Sequence, residues 1–167
     1  MRLISEDSRP VAPSGWKGYA AAAVAVAAAA TAGSVAVDAD SDWYRSLHKP
    51  AWQPPSWAFG LVWTPLYASI AFAAGHALGS TRGRERAATA VSFGVNLALN
   101  AGWTWLFFRC RSPRAALAGT LVLDLSNAQL IRRTAETDPV AARALLPYAA
   151  WCGFATVLNT SLTRRNP

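Results

Sequence analysis

Five apolar runs, each close to the length a bilayer demands, restrict this chain more than any other feature of it. A membrane-spanning helix needs about 20 mostly apolar residues. The first run, GYAAAAVAVAAAATAGSVAV at 18–37, carries no charge at all. Two more follow at 57–78 and 87–108. The fourth, 115–131, is shorter and contains Asp124, and the fifth, 140–162, contains Arg143 and Pro147. A secretory signal does not account for the first run, because its apolar part is too long and further spans come after it. The expected fold is therefore all-α and integral to a membrane. It is a bundle of five transmembrane helices over 18–162, at about 18–37, 57–78, 87–108, 115–131 and 140–162. A polar tail at 1–17, expected to be disordered, precedes it, and a basic tail at 163–167 follows.

Composition supports this reading and removes others. Hydrophobic residues make up 53% of the 167 and charged ones 15%, against about a quarter charged in soluble domains. Mean hydropathy is only +0.17, because alanine is weakly apolar and the loops and tail are polar. The net charge is +7, yet the basic residues sit in short clusters between apolar runs (GSTRGRER, RCRSPR, RRTAETDP) and not along one face. That pattern argues against a nucleic-acid partner and for the bilayer as the partner. Nine Lys and Arg fall on the N-terminal side of the spans and seven on the other, too even a division to orient the chain. Richness in alanine and arginine suggests a GC-rich bacterial genome, so a multi-pass protein of a bacterial cell membrane is the expectation.

The usual chemical signatures are missing from the sequence. Cys110 and Cys152 have neither CxxC nor Cys/His spacing and read as free thiols. His48 and His76 each lack a second ligand at helical spacing, so no metal site is expected. No nucleophile triad, phosphate loop or paired acid–base carboxylates occur, which argues against an ordinary hydrolase or kinase. No internal repeat points to a transporter built from inverted halves.

Polar side chains inside a membrane face the protein interior or a cavity, and at 100° per residue each run presents distinct faces. On the third, Asn96, Asn100, Trp103 and Phe107 share a face. Gly94, Ala98 and Gly102 form a small-residue ladder on the opposite one, suited to close approach by a helix of the same chain or of a second copy. A shorter ladder, Gly75 to Gly79, lies at a helix end. On the second run Phe59, Trp63, Tyr67 and Ile70 align, and on the fifth Tyr148, Trp151, Ala155 and Leu158, with Asn159 at the edge. Trp63, Trp103 and Trp151 thus sit near mid-depth, away from the interfaces where tryptophan concentrates, which favours a flat aromatic ligand held by stacking. Asp124 aligns with Thr120 and Asn127, either as a functional carboxylate or as a hydrogen-bonding partner of a neighbouring helix.

The long first loop carries the most distinctive composition. DWYRSLHKPAWQPPSWAFGLVWTPLY, 42–67, holds four of the eight tryptophans and four of the ten prolines. Proline breaks regular structure, so such a segment serves either as an interfacial aromatic belt or as a rigid flap over an aromatic site. Trp52 and Trp57 suit the belt.

WYRSLHKPAWQPPSWAFGLVWTPLY resembles the first-loop and second-helix signature of the TspO/MBR translocator-protein family. NLALNAGWTWLFF resembles its third helix and LLPYAAWCGFATVLN its fifth, so the likeness runs over 43–159. The resemblance implies five transmembrane helices, a homodimer, and a pocket under the first loop that takes porphyrins and isoquinoline-type ligands. It implies ligand-binding roles for Tyr44, Pro54, Trp63, Tyr67, Asn100, Trp103, Trp151, Ala155 and Asn159, and a dimer contact at Gly94, Ala98 and Gly102. Porphyrin, either protoporphyrin IX or haem, is then the ligand, and no cofactor is required. The role implied is porphyrin handling or stress sensing. Alternatives are transport of lipophilic molecules and light-dependent oxidative breakdown of bound porphyrin, with Trp63 and Trp151 as the catalytic residues. Phe93 and Asn96 stand where relatives often have Tyr and Gln. TSLTRR at 160–165 lacks the tyrosine of the family's proposed cholesterol motif, so cholesterol is not an expected partner.

Overall fold

The computed structural model describes residues 15–166, and all regular elements among them are helical. Five are long: α1 (Trp16–Ser34), α3 (Ser56–Ser80), α4 (Gly83–Thr104), α5 (Pro113–Thr137) and α6 (Pro139–Arg165). A five-residue helix, α2 (Asp42–Ser46), interrupts the long loop, and α4 continues into a π-helical turn, Trp105–Arg109. The boundaries differ from the apolar runs in instructive places. Trp16 and Lys17, expected in the tail, already belong to α1; the rest of that tail, 1–14, lies outside the described residues. The basic segment expected as a C-terminal tail instead completes α6 through Arg165, where its arginines complement the negative end of the helix dipole.

Capping chemistry sets the tight turns. Ser112 Oγ accepts the Ala115 N–H at 3.2 Å and Pro113 opens α5, where its missing donor costs nothing. Asp138 alone joins α5 to α6. Its Oδ1 accepts the N–H groups of Val140 and Ala141 at 3.1 and 3.0 Å. Its Oδ2 accepts the Ser80 hydroxyl at 2.8 Å and meets His76 Nδ1, which binds the end of α3 to the start of α6.

Contacts between the long helices close a ring in the order α1, α3, α6, α5, α4 and back to α1. Two close approaches seal the α1 side. A Cβ on Gly75 would lie 2.5 Å from the Tyr19 ring, and one on Gly33 would meet Thr104 Oγ1 at 3.4 Å. The Gly75 ladder therefore serves an intrachain contact. Thr104, Trp105 and Arg109 donate to the carbonyls of Gly33, Ala32 and Val35, satisfying the acceptors that a helix C-terminus leaves open.

Polarity is distributed inside out. Val24, Leu61, Val91, Leu125 and Val157 are each 60% or more exposed, while Asn96, Asn100, Thr120, Asn127, Thr134 and Asn159 are buried. At the centre Asn96 Nδ2 donates to Asn127 Oδ1 at 2.7 Å and to Ser126 Oγ at 3.1 Å. Tyr148 donates to Asn96 Oδ1 at 3.0 Å. α3 and α6 are long and apolar enough to cross a membrane; at 1.5 Å per residue, the 25 residues of α3 reach about 37 Å, against a hydrocarbon core of about 30 Å.

Burial pushes the Asp138 carboxyl up, but the Ala141 N–H, His76 and Ser80 outweigh it and hold the group below the ordinary carboxylate value. A lowered carboxyl stabilises the fold above its unfolded pKa of about 4 and ceases to as pH falls through the lowered value. Thermal unfolding in detergent should therefore show stability falling as pH drops below about 4. Asp138→Ala should lose roughly 1–2 kcal/mol at neutral pH, as expected for an N-cap, and should flatten that acid limb.

Candidate functional site

One end of the bundle contains a cavity of about 640 Å³, within the ~300–1,000 Å³ range of small-molecule sites. Its walls come from α1, α3, α4 with its π turn, and α6, and its cover from α2 and the loop after it. No residue of α5 reaches it. Flat aromatic pairs form two of the walls. Trp63 stacks on Tyr67 with centroids 5.1 Å apart and planes 26° apart, and Trp103 on Phe107 at 5.8 Å and 23°. Phe107 stands on the π turn that ends α4, on the same face as Trp103.

The lining contains no charged side chain, and its polar atoms are few. Tyr67 OH donates to Asn100 Oδ1 at 3.4 Å, and Gln53 Nε2 to Tyr44 OH at 3.0 Å. Three lining groups keep a buried atom without a partner among the described residues: Trp103 Nε1, Gln53 Oε1 and Asn159 Oδ1. Buried polar atoms are seldom left unpaired, so one donor and two acceptors stand ready for a bound molecule. Burial pushes the Tyr44 phenol up, with the Gln53 hydrogen bond opposing it. Lys49 Nζ lies 3.8 Å from the Tyr44 ring centroid, and desolvation there lowers the ammonium's pKa.

Seven of the nine ligand-binding positions expected from the sequence meet at this cavity: Tyr44, Trp63, Tyr67, Asn100, Trp103, Ala155 and Asn159. Two do not. Pro54 stays out of the wall while its neighbour Gln53 enters it. Trp151 sits one ring back, edge-on to Phe59 at 5.9 Å and stacked on Phe154 at 5.1 Å, because α6 turns Ala155 and Asn159 inward instead. Gly94 and Ala98 lie exposed on the outer face of α4, and a Cβ on Gly94 or Gly102 would meet nothing within 4 Å. Asp124 accepts the Thr156 hydroxyl at 2.6 Å and serves as a tie between α5 and α6. His76 is engaged by Asp138 at the far end, and no cluster of three or more potential metal ligands occurs among the described residues.

Other lining residues were not singled out from the sequence. The turn of α1 at Ala30, Gly33 and Ser34 gives no signal in an alanine-rich run. Helix α2 did leave one, a serine followed by an acid. Ser41 caps it, its Oγ accepting the Tyr44 N–H at 3.3 Å, and so aims Tyr44 inward. Asn166 is a further omission. Its Oδ1 accepts the His48 N–H at 2.9 Å, and its Nδ2 donates to the carbonyls of His48 at 3.3 Å and Leu162 at 2.9 Å. One side chain thus latches the loop to the end of α6.

The TspO/MBR family model matches residues 20–165. The chain belongs to the TspO/MBR family. It is 34% identical over 126 residues to the tryptophan-rich protein TspO of Chlorobaculum tepidum, covering 75% of this chain and 80% of that one. It is 35% identical over 127 residues to the translocator protein of Homo sapiens, covering 74% and 75%. With the tryptophan-rich sensory protein of Cereibacter sphaeroides it shares 35% over 126 residues, covering 75% and 77%. TspO/MBR proteins are membrane proteins, which accounts for the apolar exterior.

Asn166→Ala removes both hydrogen bonds to the loop and leaves the cavity walls intact. Amide hydrogen exchange over 42–48 should speed up by roughly threefold to tenfold, the equivalent of about 1 kcal/mol, with exchange in α4 and α5 unchanged.

Proposed function

We propose that this chain is a membrane tetrapyrrole-binding protein of the translocator or sensor kind, taking protoporphyrin IX or a similar flat macrocycle under its first loop. The observation that carries this reading is the pair of stacked aromatic walls, Trp63–Tyr67 and Trp103–Phe107, around a cavity without charge. Such walls favour a broad π-surface. The unpaired Trp103 N–H and the Asn159 and Gln53 carbonyl oxygens suit a ring with both donors and acceptors. The ligand's carboxylates then stay at the rim near Lys49, because no cation lines the interior. Arg45 faces Asp40 at 3.5 Å and is the weaker candidate. In this reading the five long helices cross the bilayer of a bacterial cell, and two copies pair through the open Gly94–Ala98–Gly102 face of α4.

A second reading is light-dependent oxidation of the bound porphyrin by dioxygen. It is favoured by Trp63, an oxidisable indole in the wall stacked on a phenol. Trp151 acts at most through Phe59, since a ring separates it from the cavity.

Titration of the purified protein with protoporphyrin IX, followed by tryptophan quenching, tests the first reading. Trp103→Ala should weaken binding by about tenfold, and Trp151→Phe should leave it within a factor of about two. Equal affinity of wild type and Trp103→Ala would sink it. Under illumination, loss of porphyrin absorbance in the wild type but not in Trp63→Phe would establish the second reading. A stable spectrum together with saturable flux across vesicles would mark a carrier, and a stable spectrum without flux a sensor.

A further inference from the structure

A second concavity, about 490 Å³, lies on the outside of the bundle at the end of α6. It is separate from the aromatic cavity and shares no residue with it. Val157, Thr160, Ser161, Arg164 and Arg165 form its floor and Trp52 of the long loop its side. On a helix these five positions make a single stripe, spaced i, i+3, i+4, i+7, i+8.

Along that stripe the chemistry changes in a definite order. Val157 is 60% exposed and apolar, and Trp52, 48% exposed, stands edge-on to Phe154 at 5.9 Å. Next come two hydroxyls, of which Thr160 is committed to the Thr156 carbonyl at 2.8 Å. Ser161 Oγ accepts Arg165 Nε at 3.3 Å, which leaves its own proton to donate. Last come two exposed guanidinium groups, Arg164 and Arg165, neither paired with a carboxylate among the described residues. No acidic side chain lines the groove. Val157 to Arg165 spans about 12 Å along the helix axis, enough to pass from the edge of the hydrocarbon through the headgroup layer.

We propose that this groove holds one anionic phospholipid, its phosphate on Arg164, Arg165 and the Ser161 hydroxyl and its first acyl carbons along Val157 and Trp52. Planar guanidinium groups match phosphate oxygens in pairs, and a tryptophan at the interface suits the glycerol level. Two adjacent cations repel the choline of a zwitterionic lipid, so the site selects by headgroup charge. The occupant is a lipid and not a free anion, because half of the groove is apolar.

Native mass spectrometry of the full chain in a neutral detergent tests this. Phosphatidylglycerol and phosphatidylcholine are titrated separately, then phosphatidylglycerol in the presence of excess inorganic phosphate. The wild type should retain one phosphatidylglycerol at about tenfold lower concentration than phosphatidylcholine, and inorganic phosphate should not displace it. Arg164→Gln/Arg165→Gln should abolish the preference, and Arg164→Lys/Arg165→Lys should keep most of it. Trp52→Ala should weaken retention of both lipids. The charge-removing side chains are exposed, and unchanged helical circular dichroism confirms folding. Equal retention of the two lipids by the wild type, an undiminished preference in the glutamine variant, or displacement by inorganic phosphate would each overturn the proposal.

Discussion

The side-chain amide of Asn96 holds the middle of this molecule together. It donates to Asn127 of α5 and accepts from Tyr148 of α6, so three helices share one buried residue. Where the exterior is apolar and the surroundings are lipid, burial of greasy surface gives little reason for helices to associate. Packing and interhelical hydrogen bonds must supply it. The Tyr148 ring, fixed by that bond, lies 6.2 Å from Trp63 and so forms part of the bed on which the aromatic wall rests. Above this level the helices separate enough to leave a cavity, and below it the Asp138 cluster draws α3 and α6 together. The site thus opens at one end of a bundle pinned in the centre and at the other end.

Much of this arrangement was legible in the residues. The inward face of α4 followed from the helical spacing of Asn96, Asn100, Trp103 and Phe107, because polar groups avoid lipid and tryptophan seldom sits at mid-depth without reason. The outward placement of Gly94 and Ala98 followed from the same projection. Trp151 shows where that logic ends. A stripe drawn at 100° per residue is about as wide as a side chain, and Trp151 and Ala155 fall close enough on it that neighbouring packing decides which one faces the cavity. Here Phe59 lines the cavity and Trp151 stands edge-on behind it. The π turn itself lay beyond pattern reading, since it has no compositional mark, although the inward place of Phe107 followed from plain helical spacing. Asn166 was invisible for a different reason: its partner is a backbone group 118 positions away, and side-chain periodicity carries no information about backbone partners.

The helices divide into those that shape the ligand cavity and those that brace it. α5 contributes nothing to the lining, although it carries Asp124, Asn127 and Ser126. Their hydrogen bonds run to Thr156 and Asn96. The one acidic residue well inside an apolar run is accordingly a structural tie, and the chemistry of the cavity rests on neutral donors and acceptors. The cavity thus offers shape and a few unpaired atoms, with the nearest cation, Lys49, outside its lining.

The latch at Asn166 also imposes an order on assembly. The loop it secures begins to emerge from the ribosome well over a hundred residues before its fastening does, and the α6 wall is made late as well. Until α6 is complete, α1, α3 and α4 can stand together with their aromatic faces open at the end where the cover belongs. The cavity is therefore enclosed only once α6 is in place, and a chain without α6 has no covered end to its aromatic walls.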